Sequence, residues 1–249
     1  MRKFAVVPWM MMVLFVAPAA SAQVRVLASN GVRAALEALK PQVEKAAGQT
    51  LAIEYGSTAG LRRKIEAGEA FDMAIITPQA TADLTKSGKI ASGSAVDFAR
   101  TGVGFGIKAG AANADVSTPD AVKQMLLKAK SISIVKEGAS RVTIDKMFDT
   151  LGITAAVGPK TKLEAGTEQS GESVAQGQAE VEIVPLSEIP LVHGVQTLGP
   201  LPGALQEYLR FQASVSANAK DAAAAKKAIQ FLTAPAAAPV LKAHGMEAK

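Results

Sequence analysis

The sequence contains no cysteine and only two histidines, His193 and His244, among its 249 residues. The lack of cysteine excludes a disulfide-stabilised fold, a thiol nucleophile and a thiolate-bound metal. Two histidines also argue against a multi-histidine metal site, so we expect no metal and no cofactor. Aromatic residues make up only 4%, and the net charge is a modest +5. Nucleic-acid binders concentrate basic charge and intersperse aromatics, so we expect no nucleic-acid partner.

Residues 1–22 have the pattern of a secretory signal peptide. Two basic residues precede an apolar run at 4–16, and Ala20-Ser21-Ala22 supplies the small residues that a signal peptidase accepts. The run of about 13 residues is too short to cross ~30 Å of hydrocarbon as a helix. We therefore expect cleavage before Gln23 and a soluble periplasmic protein.

Strand-like and helix-like patterns alternate over residues 24–90 and again over 118–190. This alternation predicts an α/β fold with mixed, mostly parallel sheets and helices on their faces. No Gly/Ser-rich linker separates the two halves, so we expect two lobes joined by crossing strands near 100–105 and 205–213. The predicted lobe 1 is discontinuous and comprises 23–101 and 210–249, and the predicted lobe 2 comprises 102–209.

Three local features give more detailed predictions. Pro41 lies inside a helical pattern and should kink or split that helix. Residues 171–176 are predicted to form a short helix. Residues 185–202 contain several prolines and glycines and are predicted to be irregular.

Small polar residues follow the predicted strands at the points where helices begin. Ligands of open parallel sheets bind at these strand ends, and helix N-termini present free N–H groups that suit anions. Each residue could equally be an ordinary helix cap. The candidate ligand-binding residues from these turns are Ser29, Asn30, Ser57, Thr58, Thr77, Ala139, Ser140 and Ser187.

Three arginines, Arg33, Arg62 and Arg141, lie within a turn or two of these positions. An arginine can form a bidentate pair with a carboxylate, so each is a possible partner of a carboxylate ligand. Each is also consistent with a solvated surface residue.

Several enzyme motifs are absent from the sequence. There is no phosphate-binding loop of the form G-x-x-x-x-G-K-[ST] and no G-x-S-x-G nucleophile turn. Glu137, Glu164 and Glu188 could each serve as a base, but no spacing pairs them. No catalytic residue is therefore assigned.

Most of the chain resembles the two-lobed type II periplasmic solute-binding proteins, and it is similar to the molybdate-binding proteins of ABC importers. The stretches that carry the resemblance are VRVLASNGVRAAL (24–36), IEYGSTAGLRRKIEAGEAFDMAIITP (53–78), KSISIVKEGAS (130–140) and AEVEIVPLSEI (179–189). The resemblance implies a monomer that captures a small anion between its lobes and delivers it to an ABC permease in the inner membrane.

The resemblance also implies roles for individual residues. Ser29 and Ser57 match the serines of the family's first lobe, and Ala139 and Val184 fall where the second lobe contributes. In the molybdate binders a tyrosine follows the position of Val184, whereas here Pro185 does. The expected ligand is therefore an oxyanion such as molybdate or a small carboxylate.

A second function is compatible with the same resemblance. Enzymes that isomerise aconitate are similar to these binding proteins over their full length and use the cleft as an active site. The alternative function is therefore a periplasmic isomerase of a di- or tricarboxylate, which would need a base close to an acidic C–H.

Overall fold

The computed structural model describes residues 23–249, so the predicted signal peptide lies outside the described residues. The strands are β1 (Gln23–Ser29), β2 (Thr50–Gly56), β3 (Met73–Ile76), β4 (Val96–Thr101), β5 (Val103–Lys108), β6 (Ile132–Val135), β7 (Thr161–Glu164), β8 (Val181–Pro185), β9 (Val195–Pro200), β10 (Leu209–Val215) and β11 (Met246–Ala248). The helices are α1 (Arg33–Ala47), α2 (Thr58–Glu66), α3 (Pro78–Lys86), α4 (Pro119–Lys128), α5 (Arg141–Leu151), α6 (Thr154–Val157), α7 (Thr167–Ala175), α8 (Ala222–Leu232) and α9 (Ala238–Ala243).

The first lobe is built on a six-stranded sheet with the order β11-β4-β10-β3-β1-β2. Strand β1 runs parallel to both β2 and β3, while the remaining pairs are antiparallel. Because successive residues of a strand face opposite sides of the sheet, β1 contributes side chains to two apolar cores. Val26 packs with α1 and α8 on one face, and Leu27 packs with α2 and α3 on the other.

Asp72, which directly precedes β3, connects β3 with β1 and with the segment before α8 through hydrogen bonds. Its carboxylate accepts hydrogen bonds from the backbone N–H groups of Arg25, at 2.8 Å, and of Lys220, at 2.7 Å. The side chain is only 2% exposed. The Phe-Asp pair in the stretch quoted for the resemblance therefore has a structural role, because it joins β1, β3 and the approach to α8.

The second lobe is built on a five-stranded sheet with the order β7-β6-β8-β5-β9. One face packs against α4 and α5 and forms an apolar core around Phe105 and Ile134. The other face lies beneath α7 and carries polar side chains, among them Ser133, which bonds to Ser170 of α7 at 2.8 Å. This second face adjoins the region where the lobes meet.

The two lobes are joined by crossing segments. Only Gly102 separates β4 in the first sheet from β5 in the second, and residues 201–208 lead back from β9 to β10. The predicted two-lobed α/β architecture is confirmed. Within residues 23–249 the sheets have four parallel and five antiparallel strand pairs, so they are less parallel than predicted. The residue boundaries of the lobes stay a prediction.

Some local predictions were wrong. Pro41 does not split helix α1, because Leu36 and Val43 anchor the helix in the core on both sides of it, whereas a kink at Pro41 stays a prediction. Residues 185–202 are not wholly irregular, since β9 pairs with β5 there. Strand β9 lies at the edge of its sheet, where a proline such as Pro200 can be accommodated.

The helix predicted over residues 171–176 begins four residues earlier, at Thr167. No helix within residues 23–249 combines the length and the apolar character that crossing a bilayer requires.

Candidate functional site

The three turns predicted in the first lobe lie at one edge of its sheet. Ser29 ends β1 opposite Gly56 of β2, so Ser29 and Ser57 are brought close together by the strand register. Thr77 follows β3, the other neighbour of β1. Parallel neighbouring strands place their carboxyl ends together, and this arrangement groups the three hydroxyls and the adjacent Asn30 and Thr58.

Most of these hydroxyls are not used as helix caps. Ser57 is an ordinary cap, since its Oγ accepts a hydrogen bond from Gly60 N at 3.1 Å. Ser29, Thr77 and Ser140 occupy the same position before their helical turns but cap no N–H group. Thr58 Oγ1 is buried without any hydrogen-bond partner. Buried polar atoms are nearly always paired, so the unpaired Thr58 Oγ1 is an exception, and no helix-capping bond occupies the hydroxyls of Ser29, Thr77 and Ser140.

The second lobe contributes two turns to the interlobe region. Ser140 is buried at the start of α5, and Ala139 beside it is partly buried. The side chain of Val184 packs with Val135 and Ile189, which leaves only its backbone for a ligand. Ser187 Oγ donates a hydrogen bond to Gly31 O at 2.7 Å, so this hydroxyl already links the two lobes.

The contact around Gly31 is close. A Cβ atom at Gly31 would lie 2.5 Å from the Phe211 ring and 3.3 Å from Glu188 Oε1. The position therefore requires glycine because the Asn30–Val32 turn packs directly against the Phe211 ring of its own lobe, and the Glu188 carboxyl group of the other lobe lies beside it.

Glu188 is a buried carboxyl group at this interlobe contact. The residue is 5% exposed, and its Oε2 accepts a hydrogen bond from the Thr167 hydroxyl. Burial raises the pKa of Glu188 to about 7, and the hydrogen bond from Thr167 opposes part of that rise. Glu188 thus changes its charge near neutral pH.

The three predicted arginines have different surroundings. Arg33 forms a 2.6 Å ion pair with Glu168 of α7 across the cleft, and its guanidinium lies 5.4 Å from the centre of the Tyr55 ring. Arg62 is paired with Glu66 and Asp83 of its own lobe, and Arg141 with Asp145 of its own helix. Arg33 is therefore the predicted cation that the structure places between the lobes.

A second ion pair crosses the cleft at the start of α2. Arg63 Nη2 lies 3.0 Å from Glu137 Oε2, and both side chains are at least half exposed. Glu137 was one of the possible bases in the sequence, but here it is a solvated partner of an arginine. Glu164, another possible base, accepts a hydrogen bond from Ser173 at 2.7 Å.

Sequence reasoning missed Thr167, Glu168 and Tyr55. Thr167 and Glu168 were overlooked because the helix that carries them was predicted to start at residue 171. The Gly166-Thr167-Glu168 sequence, a small residue followed by an acid in the first turn, could have indicated the earlier start. Tyr55 donates a hydrogen bond to Glu37 at 2.9 Å, and burial together with this carboxylate raises its pKa.

Comparison with known proteins assigns the chain to a family. The sequence model described as "Bacterial extracellular solute-binding protein" matches residues 24–247. The chain belongs to this family. The predicted similarity to molybdate-binding proteins is confirmed as well, because the relatives of this family member include such a protein.

Two curated relatives match nearly the whole chain. The molybdate-binding protein ModA of Azotobacter vinelandii is 29% identical over 237 residues, which cover 93% of this chain and 92% of ModA. The aconitate isomerase of a Pseudomonas species is 26% identical over 228 residues, which cover 89% of this chain and 86% of that enzyme. The family member thus has both a binding protein and an enzyme among its relatives.

A solved structure supports the same fold assignment. The periplasmic molybdate-binding protein of Azotobacter vinelandii superposes with a TM-score of 0.72 at 19% sequence identity, covering 91% of this chain and 99% of that one. At this level of identity the likeness concerns the fold.

Proposed function

We propose that this family member is a periplasmic receptor that captures a small anion between its lobes and delivers it to an ABC permease. Membership of the solute-binding family supports capture of a solute. The relative named as a molybdate-binding protein supports an oxyanion such as molybdate, and the relative named as aconitate isomerase supports a small carboxylate. Export by the segment 1–22 and a monomeric state belong to the same proposal.

The observation that carries the proposal is the set of hydroxyl groups without helix-capping bonds at the cleft. Ser29, Thr77 and Ser140 cap no helix, and Thr58 Oγ1 is buried without a partner. An unpaired buried hydroxyl costs free energy of the order of 1–3 kcal/mol, which a bound acceptor would recover. An anion supplies only acceptors, so it complements such a set of donors.

The location strengthens the electrostatic argument. The turns that carry these hydroxyls lie at the N-terminal ends of α2, α3 and α5, where free N–H groups bear partial positive charge. Ser29 and Ser140 are buried, so the dipoles beside them act in a medium of lower dielectric constant than the solvent.

The proposed ligand-binding residues remain those predicted from the sequence, with two refinements. Val184 is proposed to act through its backbone, because its side chain is buried in an apolar cluster. Ser187 is proposed to hold the lobes together through Gly31 as well as to border the ligand. Arg33 is proposed as the partner for a carboxylate ligand, which would compete with Glu168 for it.

The test combines a ligand screen with a double variant. Thermal shift with molybdate, tungstate, sulfate, phosphate and small polycarboxylates identifies the anion that binds, since a ligand of the folded state raises the melting temperature. Ser29→Ala with Ser57→Ala should then weaken binding about a hundredfold in calorimetry, because hydrogen bonds to charged groups contribute about 1.5–3 kcal/mol each.

Ser117→Ala is the matched control, since it removes a hydroxyl from an exposed position outside the cleft. We expect this control to bind like the wild type. Unchanged affinity of the double variant would contradict the proposed site.

A second function is favoured by the buried carboxyl group of Glu188. A base with a pKa near 7, set in a cleft that excludes water, suits the removal of a proton from carbon. In an isomerase acting on trans-aconitate, Glu188 would take a proton from the methylene carbon and a proton would return at the far carbon of the double bond.

Incubation with trans-aconitate in D2O, followed by NMR, distinguishes the two functions. Deuterium in the ligand or a second isomer would favour the enzyme, and loss of this activity in Glu188→Gln would identify the base. A raised melting temperature without turnover would favour the receptor.

A further inference from the structure

We propose that Glu188 is a ligand-binding residue and that a fully ionised anion binds together with one proton, which the Glu188 carboxyl group holds against it. This inference rests on the proposed receptor function and adds the protonation requirement of its site. It makes the receptor selective for anions that can accept a hydrogen bond from a carboxylic acid.

The first step of the argument is the position of the carboxyl group. Its Oε1 faces the Asn30–Val32 turn, 3.3 Å from the place of a Cβ on Gly31, and its Oε2 is bound to Thr167 at the start of α7. Gly31 directly follows Asn30, one of the proposed ligand-binding residues, so the carboxyl group packs against the turn that carries Asn30.

The second step is the absence of a neutralising cation. The titratable and charged side chains on the elements around Glu188 are Glu182 on β8, Glu168 and Glu172 on α7, Arg33, Glu37, Lys40, Glu44 and Lys45 on α1, Arg210 on β10, and His193 and His244 in the adjoining turns. Within residues 23–249 none of them forms a salt bridge to Glu188, and Arg33 is paired with Glu168. The polar contact that Glu188 does make is with a neutral hydroxyl.

The third step is the electrostatics of two anions in one dry site. An ionised Glu188 and a bound anion would repel each other strongly at this low dielectric constant. Protonation of Glu188 removes the repulsion and turns the carboxyl group into a hydrogen-bond donor. Burial already raises the pKa of Glu188 to about 7, so a nearby anion needs to raise it only a little further to keep the proton bound at neutral pH.

The experiment measures protons directly. Molybdate is titrated into the full chain by calorimetry in buffers of different ionisation enthalpy, once at about pH 8 and once at about pH 5.5, on either side of the pKa of Glu188. At the higher pH we expect uptake of about one proton per anion, and at the lower pH uptake close to zero. Affinity should fall about tenfold per pH unit above neutrality, as linkage requires for one proton.

Two variants isolate Glu188. Glu188→Gln should abolish the proton uptake and the pH dependence while retaining affinity, because the amide also donates a hydrogen bond. Glu182→Gln is the matched control, since it neutralises the other buried acid of this lobe and should leave the uptake on binding intact. Thr167→Val should shift the onset of proton uptake to higher pH, because it removes the bond that favours ionised Glu188, and this variant serves if Glu188→Gln fails to fold.

The outcomes separate the inference from the function on which it rests. Binding of molybdate at pH 8 without proton uptake, or with the same uptake in Glu188→Gln, would overturn the inference and leave the receptor function standing. If none of the anions in the ligand screen binds at either pH, the receptor function itself is overturned, and the inference with it.

Discussion

Glu182 lies on β8 beneath α7, with both carboxylate oxygens buried and without a hydrogen-bond partner. Burial raises the pKa of Glu182 to about 7, and the negative charge of Glu188 adds to this rise. The nearby Ser170 hydroxyl lowers the pKa in part, although the two side chains do not meet in hydrogen-bonding geometry. The nearest polar pair, Ser133 and Ser170, is satisfied internally. The fold therefore keeps Glu182 protonated below about pH 7.

This residue gives a prediction for stability against pH. Between pH 4.5 and about 7 the folded state holds a proton that the unfolded state releases, so the free energy of unfolding falls as pH rises through that window. Glu182→Gln should reduce this fall by about 2–3 kcal/mol, measured by urea unfolding at pH 5 and pH 8. Exposed Glu172→Gln on α7 is the control, and an unchanged fall in Glu182→Gln would contradict the prediction.

At the scale of single residues, the sequence could predict which hydroxyl groups follow the strands. It could not show which of them form no helix-capping bond. Ser29, Ser57 and Thr77 all follow strands, and their grouping depends only on parallel pairing of neighbouring strands. The buried contact of Glu188 with Gly31 depends instead on two residues of different lobes, which are far apart in the chain and meet only when the lobes pack. No local pattern in the sequence contains that contact.

At the scale of elements, the helix starts divide into two groups that stability measurements can separate. Ser57 caps α2, so Ser57→Ala should lower the free energy of unfolding by about 1 kcal/mol. Thr77 caps nothing at the start of α3, so Thr77→Ala should change stability by less than about 0.5 kcal/mol. Chemical denaturation of both variants checks this contrast, and equal losses would show that the two hydroxyls have the same structural role.

The strands and helix turns that sequence periodicity did not predict are those that form only through contact with a neighbouring element of the fold. Strand β9 contains Gly199 and Pro200 and forms because β5 offers it an edge, and the short strand β11 forms because β4 does. The early start of α7 at Thr167 reflects packing of two buried residues: Ser170 bonds to Ser133 of β6, and Gly171 lies against Val192. These contacts outweigh weak local propensity, whereas α2 and α8 have apolar spacing that specifies them directly.

At the scale of the whole molecule, two ion pairs join the lobes across the mouth of the cleft, Arg33 with Glu168 and Arg63 with Glu137. The alternation of strands and helices was sufficient to predict two lobes, because it occurs twice along the chain and no Gly/Ser-rich linker separates the two halves. It could not predict these pairs, because each joins residues from different lobes whose relative orientation is set by the crossing strands. Both pairs are largely exposed, and such pairs contribute between zero and about 1 kcal/mol each.

Breaking both pairs should shift the balance between closed and open lobes. In Glu168→Gln with Glu137→Gln, a combined loss of about 1 kcal/mol would favour the open form about fivefold. The expected result is a larger radius of gyration than wild type in X-ray scattering at low salt, with the difference disappearing at high salt because screening weakens the wild-type pairs as well. Glu66→Gln with Glu69→Gln makes the same change of charge but breaks pairs within the first lobe only. If both double variants expand equally, the change reflects net charge rather than the interlobe pairs, since only the first double variant removes contacts that cross the cleft.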